Sequence, residues 1–168
     1  MKPCKVATEH SIPKLVGSVL LCEAAGGIGS IFTRDSLEDW YPRLEKPSFT
    51  PPSWVFGPMW TLLYALMETS FYVAERQQAE DGNRVQTSRA LFGIQLVLNV
   101  LWSYVFFKRR SPGWAVIEIG FLWAAIVATT LSFWKLSKTA ALLLLPYLLW
   151  TSFALLLNYE IWRLDRRA

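Results

Sequence analysis

The chain has 168 residues, enough for one domain, and 53% of them are hydrophobic, including nine Trp, ten Phe and six Tyr. Charged residues make up only 18%, below the roughly one quarter of an ordinary soluble domain, so a water-soluble surface is excluded. The formal charge of +4 is modest and its Lys and Arg lie between apolar runs, as membrane-flanking charges do, which argues against a nucleic-acid surface.

The first apolar run covers 15–32. Lys2, Lys5 and Lys14 precede it, and "VLLCE" hints at a lipoprotein cleavage box. Leu21, however, stands before Cys22 where a small residue is needed, and "EAAGGIGSIF" continues the run, so a retained helix is expected. Glu23 sits within it and is expected neutral or paired. Cys4 and Cys22 give no disulfide framework, and a lone histidine, His10, removes most metal-site and triad chemistry.

The connection that follows ends in "KPSFTPPSWVFGPMW", residues 46–60. Proline fixes φ and removes a backbone donor, so Pro51 and Pro52 predict a rigid helix entry with Thr50 as its N-cap. Pro58 is expected to bend the helix one turn later. The stretch reads as a stiff lid across one end of a bundle, lined or anchored by Trp40, Tyr41, Phe49 and Trp54. Trp40 and Trp54 have two readings, an aromatic belt at headgroup depth or ligand contact. Trp60 is deeper and points to an inward role.

The second run, 54–73, places Trp60, Tyr64 and Glu68 on one stripe. Glu68 lies near its end, where it can snorkel to the interface. The third, 90–107, aligns Gln95, Asn99, Trp102 and Phe106. An amide ladder of this kind orients a ligand's polar groups or glues helices together, each bond worth roughly 0.6–2 kcal/mol. The fourth, 114–134, carries Glu118 and small residues Gly120, Ala124 and Ala128 at four-residue spacing; Ala25 and Gly29 make a similar face on the first. Such faces mediate a homodimer or pack within one bundle.

The fifth run, 140–162, sets Tyr147, Trp150, Ala154 and Asn158 on one stripe, with a notch at Ala154. Facing aromatic stripes make a flat-walled pocket for a planar, mostly apolar ligand, or simply helix packing. Leu156, Tyr159 and Arg163 satisfy a loose sterol-contact pattern that also serves interfacial anchoring. The fold class is thus an all-α membrane protein, one five-transmembrane-helix domain over 1–168 with a structured Pro/Trp-rich first loop. The 17 Lys and Arg divide almost evenly between the two sides, and "KRR" and "RLDRR" tip the C-terminus toward the cytoplasm.

"WYPRLEKPSFTPPSWVFGPMWTLLYALM", "QLVLNVLWSYVFF", "ATTLSFWKLS" and "LLLPYLLWTSFALLLNYEIWR" together resemble the translocator protein family, also called tryptophan-rich sensory proteins or the peripheral-type benzodiazepine receptor. Glu118 matches an acidic position common in that family, whereas Glu68 stands where animal members carry glycine. The resemblance implies an integral membrane receptor or carrier for porphyrins of the protoporphyrin type, acting in tetrapyrrole homeostasis or stress signalling. It implies a bacterial envelope, or a mitochondrial outer or other organelle membrane. It also implies a pocket wall of Trp60, Asn99, Trp150 and Ala154 beneath Trp40 and Tyr41, and a dimeric state. Two other functions remain open, light-dependent porphyrin breakdown using Trp60 and Trp150, and cholesterol or lipid handling through the fifth helix. No cofactor is expected beyond the porphyrin as ligand or substrate, and with no histidine in a span, His-ligated haem is not expected.

Overall fold

The computed structural model describes residues 11–76 and 82–166. The expectations for Cys4, His10 and the Cys22 and Glu23 side chains lie outside the described residues. Five long helices make the fold: α1 (Ser11–Asp39), α2 (Phe56–Arg76), α3 (Gly82–Ser103), α4 (Pro112–Trp134) and α5 (Lys138–Asp165). Their backbones neighbour one another in the ring order α1–α2–α5–α4–α3 and back to α1. By length and composition 84–108, 112–134 and 138–165 are apolar enough to cross a membrane. Large apolar side chains such as Ile31, Val97, Phe121 and Leu149 cover the outside, the surface a bilayer requires.

Several boundaries differ from the apolar runs. α1 continues past the run ending at residue 32 to Asp39, so the start of the first connection is helical. Its added turns hold by packing: Leu37 joins the core and Ser36 donates to the Phe107 carbonyl at 2.7 Å. Pro42 then blocks continuation. Thr50 does not cap α2; its hydroxyl donates back to the Pro47 carbonyl at 2.7 Å, and a 3-10 turn over Ser53–Val55 separates it from the helix. Pro58, expected to bend α2, breaks no bond of its ladder. It is the helix's third residue, where its missing N–H has no intrahelical partner to lose.

The first connection is fastened by one side chain. Lys46 Nζ donates to the carbonyls of Tyr41 (2.8 Å), Leu44 (2.9 Å) and Pro42 (3.2 Å), which uses all three of its donors. The same ammonium stands 5.0 Å from the Tyr41 ring centroid.

α3 ends in a π turn, Tyr104–Lys108, closed by the Arg109 amide on the Tyr104 carbonyl at 2.9 Å. Arg110 follows with φ of 51°, supplying the left-handed step that stops the helix. At the opposite end, Phe71, Phe92 and Phe133 from α2, α3 and α4 stack, with centroids 4.5 Å apart for Phe71–Phe92 and 6.1 Å for Phe92–Phe133. That end is filled. The end nearer the first connection is not.

Candidate functional site

A cavity of about 530 Å³ opens among α1, α2, α3 and α5. Its aromatic wall comes from α2 and α3. Trp60 lies with its ring centroid 5.8 Å from Tyr64 and 6.4 Å from Trp102, and Trp102 stacks on Phe106 at 5.6 Å. The π turn inserts an extra residue into the helical register, and both Phe106 and Phe107 reach the cavity.

The α1 wall is small. Gly26 and Gly29 on α1 present bare backbone, and a Cβ built on Gly26 would lie 2.9 Å from Tyr64 Cε2. On Gly29 it would lie 3.4 Å from Ser103 Oγ. These glycines set the width between α1 and its neighbours. The Ala25 and Gly29 face, read as a dimer candidate, is buried inside this chain.

Asn99 forms the floor. It is 2% exposed, and its amide is committed: Oδ1 accepts from the Tyr64 hydroxyl at 2.8 Å and Nδ2 donates to the Tyr147 hydroxyl at 2.9 Å. Its first duty is to hold two tyrosines, not to face a ligand alone. Asn158 is equally engaged, accepting from Trp102 Nε1 at 3.1 Å and donating to the Pro112 carbonyl at 3.0 Å. The hydroxyls of Ser30, Thr33 and Thr61 donate to carbonyls of their own helices. Tyr41 is buried, and burial pushes its phenol above the ordinary 10.0, so it stays neutral and a donor at physiological pH.

Of the expected ligand residues, Tyr41, Trp60, Tyr64, Asn99, Trp102 and Ala154 line the cavity. Tyr147 lies behind the floor, and Gln95 lies one turn deeper with its Nε2 4.0 Å from Met67 Sδ. Trp40 packs edge-on against Phe106 at 5.5 Å without joining the lining. Trp54 is 75% exposed on the first connection and does not join the lining.

Trp150 does not line the cavity. It packs against Phe56 at 5.9 Å and Phe153 at 5.5 Å. The inward stripe of α5 is Tyr147, Thr151, Ala154 and Asn158; Trp150 falls on its flank because the helix repeats every 3.6 residues. Trp60 and Trp150 therefore do not flank this cavity together. Leu156 and Tyr159 are exposed on the outer surface of α5, and Arg163 pairs with Glu160 at 2.6 Å. Glu68 and Glu118 are off the lining.

Sequence reasoning missed the α1 wall, with Ser30, Thr33, Arg34 and Leu37. The signal was present: Arg34, Leu37 and Tyr41 fall at i, i+3 and i+7, a helical spacing that runs on past the apolar window. Among the described residues, no group of three His, Cys, Asp or Glu is placed to hold a metal ion.

The TspO/MBR family model matches residues 18–163, nearly the whole bundle and every cavity wall. The chain belongs to the TspO/MBR family. It is similar to the tryptophan-rich protein TspO of Archaeoglobus fulgidus, 44% identical over 155 residues that cover 92% of this chain and 99% of the relative. It is similar to the human translocator protein, 38% identical over 136 residues, 81% of this chain and 80% of the relative. It also resembles the tryptophan-rich sensory protein of Cereibacter sphaeroides, 35% identical over 144 residues and 86% of each chain. As a TspO/MBR member with long apolar helices, this is an integral membrane protein.

Proposed function

We propose that this TspO/MBR-family protein binds a porphyrin, protoporphyrin or a close relative, in the cavity beneath the first connection, as a membrane receptor or carrier. The observation that carries the reading is an aromatic face on a cavity of small-molecule size. Trp60, Tyr64, Trp102 and Phe106 line it, and Gly26 and Gly29 let α1 close against Tyr64 and Ser103 at its side. A flat ring laid on such a face gains stacking and apolar burial. The volume of about 530 Å³ lies within the ~300–1,000 Å³ range of small-molecule sites. The resemblance of the tryptophan-rich motifs to a porphyrin-binding family supports the same ligand class.

The test is titration of the purified protein with protoporphyrin in the dark, following tryptophan fluorescence. Saturable quenching that weakens in Trp60→Phe supports the reading; linear, unsaturable quenching that is unchanged in the variant refutes it. Illuminating the complex then separates receptor from enzyme. Protein-dependent bleaching beyond that of free porphyrin favours breakdown, for which Trp60 and Trp102, with centroids 6.4 Å apart on the wall, are the nearest oxidisable indoles.

A further inference from the structure

The cavity is largely apolar, the amide at its floor is already hydrogen-bonded, and its lining carries one charge. Arg34 is the charged residue among the lining side chains. It stands on α1 beyond the apolar run, and it makes no ion pair or hydrogen bond with any described residue. The nearby acids Asp35 and Glu38 are exposed and do not reach the lining. Leu37 and Tyr41 continue its face along the cavity edge. The Tyr41 hydroxyl likewise has no hydrogen-bond partner among the described residues, while those of Ser30, Thr33, Thr61 and Ser103 already donate to helix carbonyls. An unspent guanidinium and an unspent phenol thus line the same cavity.

We propose that Arg34, assisted by the Tyr41 hydroxyl, is an anchor for a carboxylate carried at the edge of the flat ligand. A guanidinium offers paired donors that match a carboxylate, and a charged hydrogen bond at a partly desolvated rim is stronger than one in open water. The anchor also fixes which edge of the ring faces out. An apolar ring without an acid has no reason to choose an orientation in this slot. This inference rests on the porphyrin reading and adds the chemical requirement for a free acid group.

The experiment compares protoporphyrin with its dimethyl ester, which keeps the ring and removes both carboxylates. Each is titrated against the parent, Arg34→Gln, Arg34→Lys and Tyr41→Phe in the same detergent, with thermal unfolding as the folding control. The expected result is that the parent prefers the diacid, and that Arg34→Gln weakens the diacid by about tenfold and leaves the ester unchanged. Arg34→Lys recovers part of the loss because it keeps charge without the fork, and Tyr41→Phe gives a smaller loss of the same kind. Equal binding of acid and ester by the parent overturns the anchor and leaves the porphyrin reading standing. So does an equal loss of both ligands in Arg34→Gln, which marks a structural role. Failure of both ligands to bind the parent overturns the porphyrin reading and the anchor together.

Discussion

Asn99 stands between two tyrosines, accepting from Tyr64 at 2.8 Å and donating to Tyr147 at 2.9 Å. The amide thus links α2, α3 and α5 at the cavity floor. Asn99→Leu fills the space but removes the amide that both hydroxyls bond. The expected cost is about 1–3 kcal/mol of stability, since buried groups lose partners that water cannot replace. Tyr64 is freed to move, so porphyrin affinity also falls. Asn99→Asp keeps the acceptor for Tyr64 and is expected to be the milder change for the ligand. Denaturation in detergent and dark titration measure the two effects; a Leu variant as stable and as tightly binding as the parent contradicts this role.

Adjacent glycines on α1 make a sharper comparison. A Cβ on Gly26 meets Tyr64 at 2.9 Å, and Tyr64 is held by Asn99 and cannot easily yield. A Cβ on Gly27 meets nothing within 4 Å. Both substitutions carry the same gain in helix propensity, roughly 1 kcal/mol. Gly27→Ala is expected to bind porphyrin normally and unfold at a slightly higher temperature. Gly26→Ala is expected to narrow the slot and weaken binding several-fold. Identical titrations for the two variants would remove Gly26 from the wall.

How much of this was legible in the sequence depends on the kind of signal each residue gives. Five helices followed from apolar runs, because a bilayer forces long uninterrupted stretches. Tyr64, Asn99 and Trp102 were legible as faces, because polar and aromatic side chains at helical spacing stand out in an apolar background. Arg34 and Leu37 were not, because an apolar window stops at the first charges and the helix does not. The role of Gly29 was ambiguous for another reason: a small residue marks close approach without saying to what, and here the neighbour is Ser103 of the same chain. Trp150 was misplaced by a single residue of helical phase. Residues three and four apart share a face in sequence patterns, and only packing decides which turns inward.

That phase difference yields a third prediction. Trp60 lines the cavity and Trp150 packs outside it against Phe56 and Phe153. Trp60→Phe is expected to lower porphyrin affinity and to reduce any light-driven bleaching, since it removes wall area and an indole. Trp150→Phe is expected to leave dark binding within about twofold, because the aromatic packing with Phe56 survives and no wall atom is lost. Dark titration and illumination of the two variants in parallel decide between them. A larger binding loss from Trp150→Phe would return that residue to the wall.

Lys46 gives the first connection a fastening that its prolines alone do not supply. Three carbonyls in one short turn converge on its ammonium, so the turn is a cage around a charge. Lys46→Met keeps the stem and removes every donor. Amide exchange is expected to quicken over the connection, with the helices unaffected, and ligand release is expected to quicken more than ligand entry. Replacing Pro51 and Pro52 by glycine acts on the same segment by widening its unfolded ensemble, and should push release in the same direction. Exchange and release rates like those of the parent in the Lys46 variant would show that the connection keeps its shape without this cage.

Association of two copies in the membrane is the last expectation, and the structure narrows where to look. Helices in lipid gain little from apolar area, so they approach through small side chains. The Ala25–Gly29 face is buried inside the chain, with Gly29 against Ser103. Gly120 differs: a Cβ there meets nothing within 4 Å. Ala124 is exposed on the same face of α4, between Phe121 and Trp123. A homodimer formed through α4 is therefore expected to be broken by Gly120→Leu, with folding and porphyrin binding retained because the cavity is elsewhere. Gly29→Leu is expected to do the reverse, damaging binding through Ser103 while leaving association intact. Crosslinking in membranes reads the first property and titration the second. If Gly120→Leu crosslinks like the parent, the α4 face is a lipid-facing surface and not an interface.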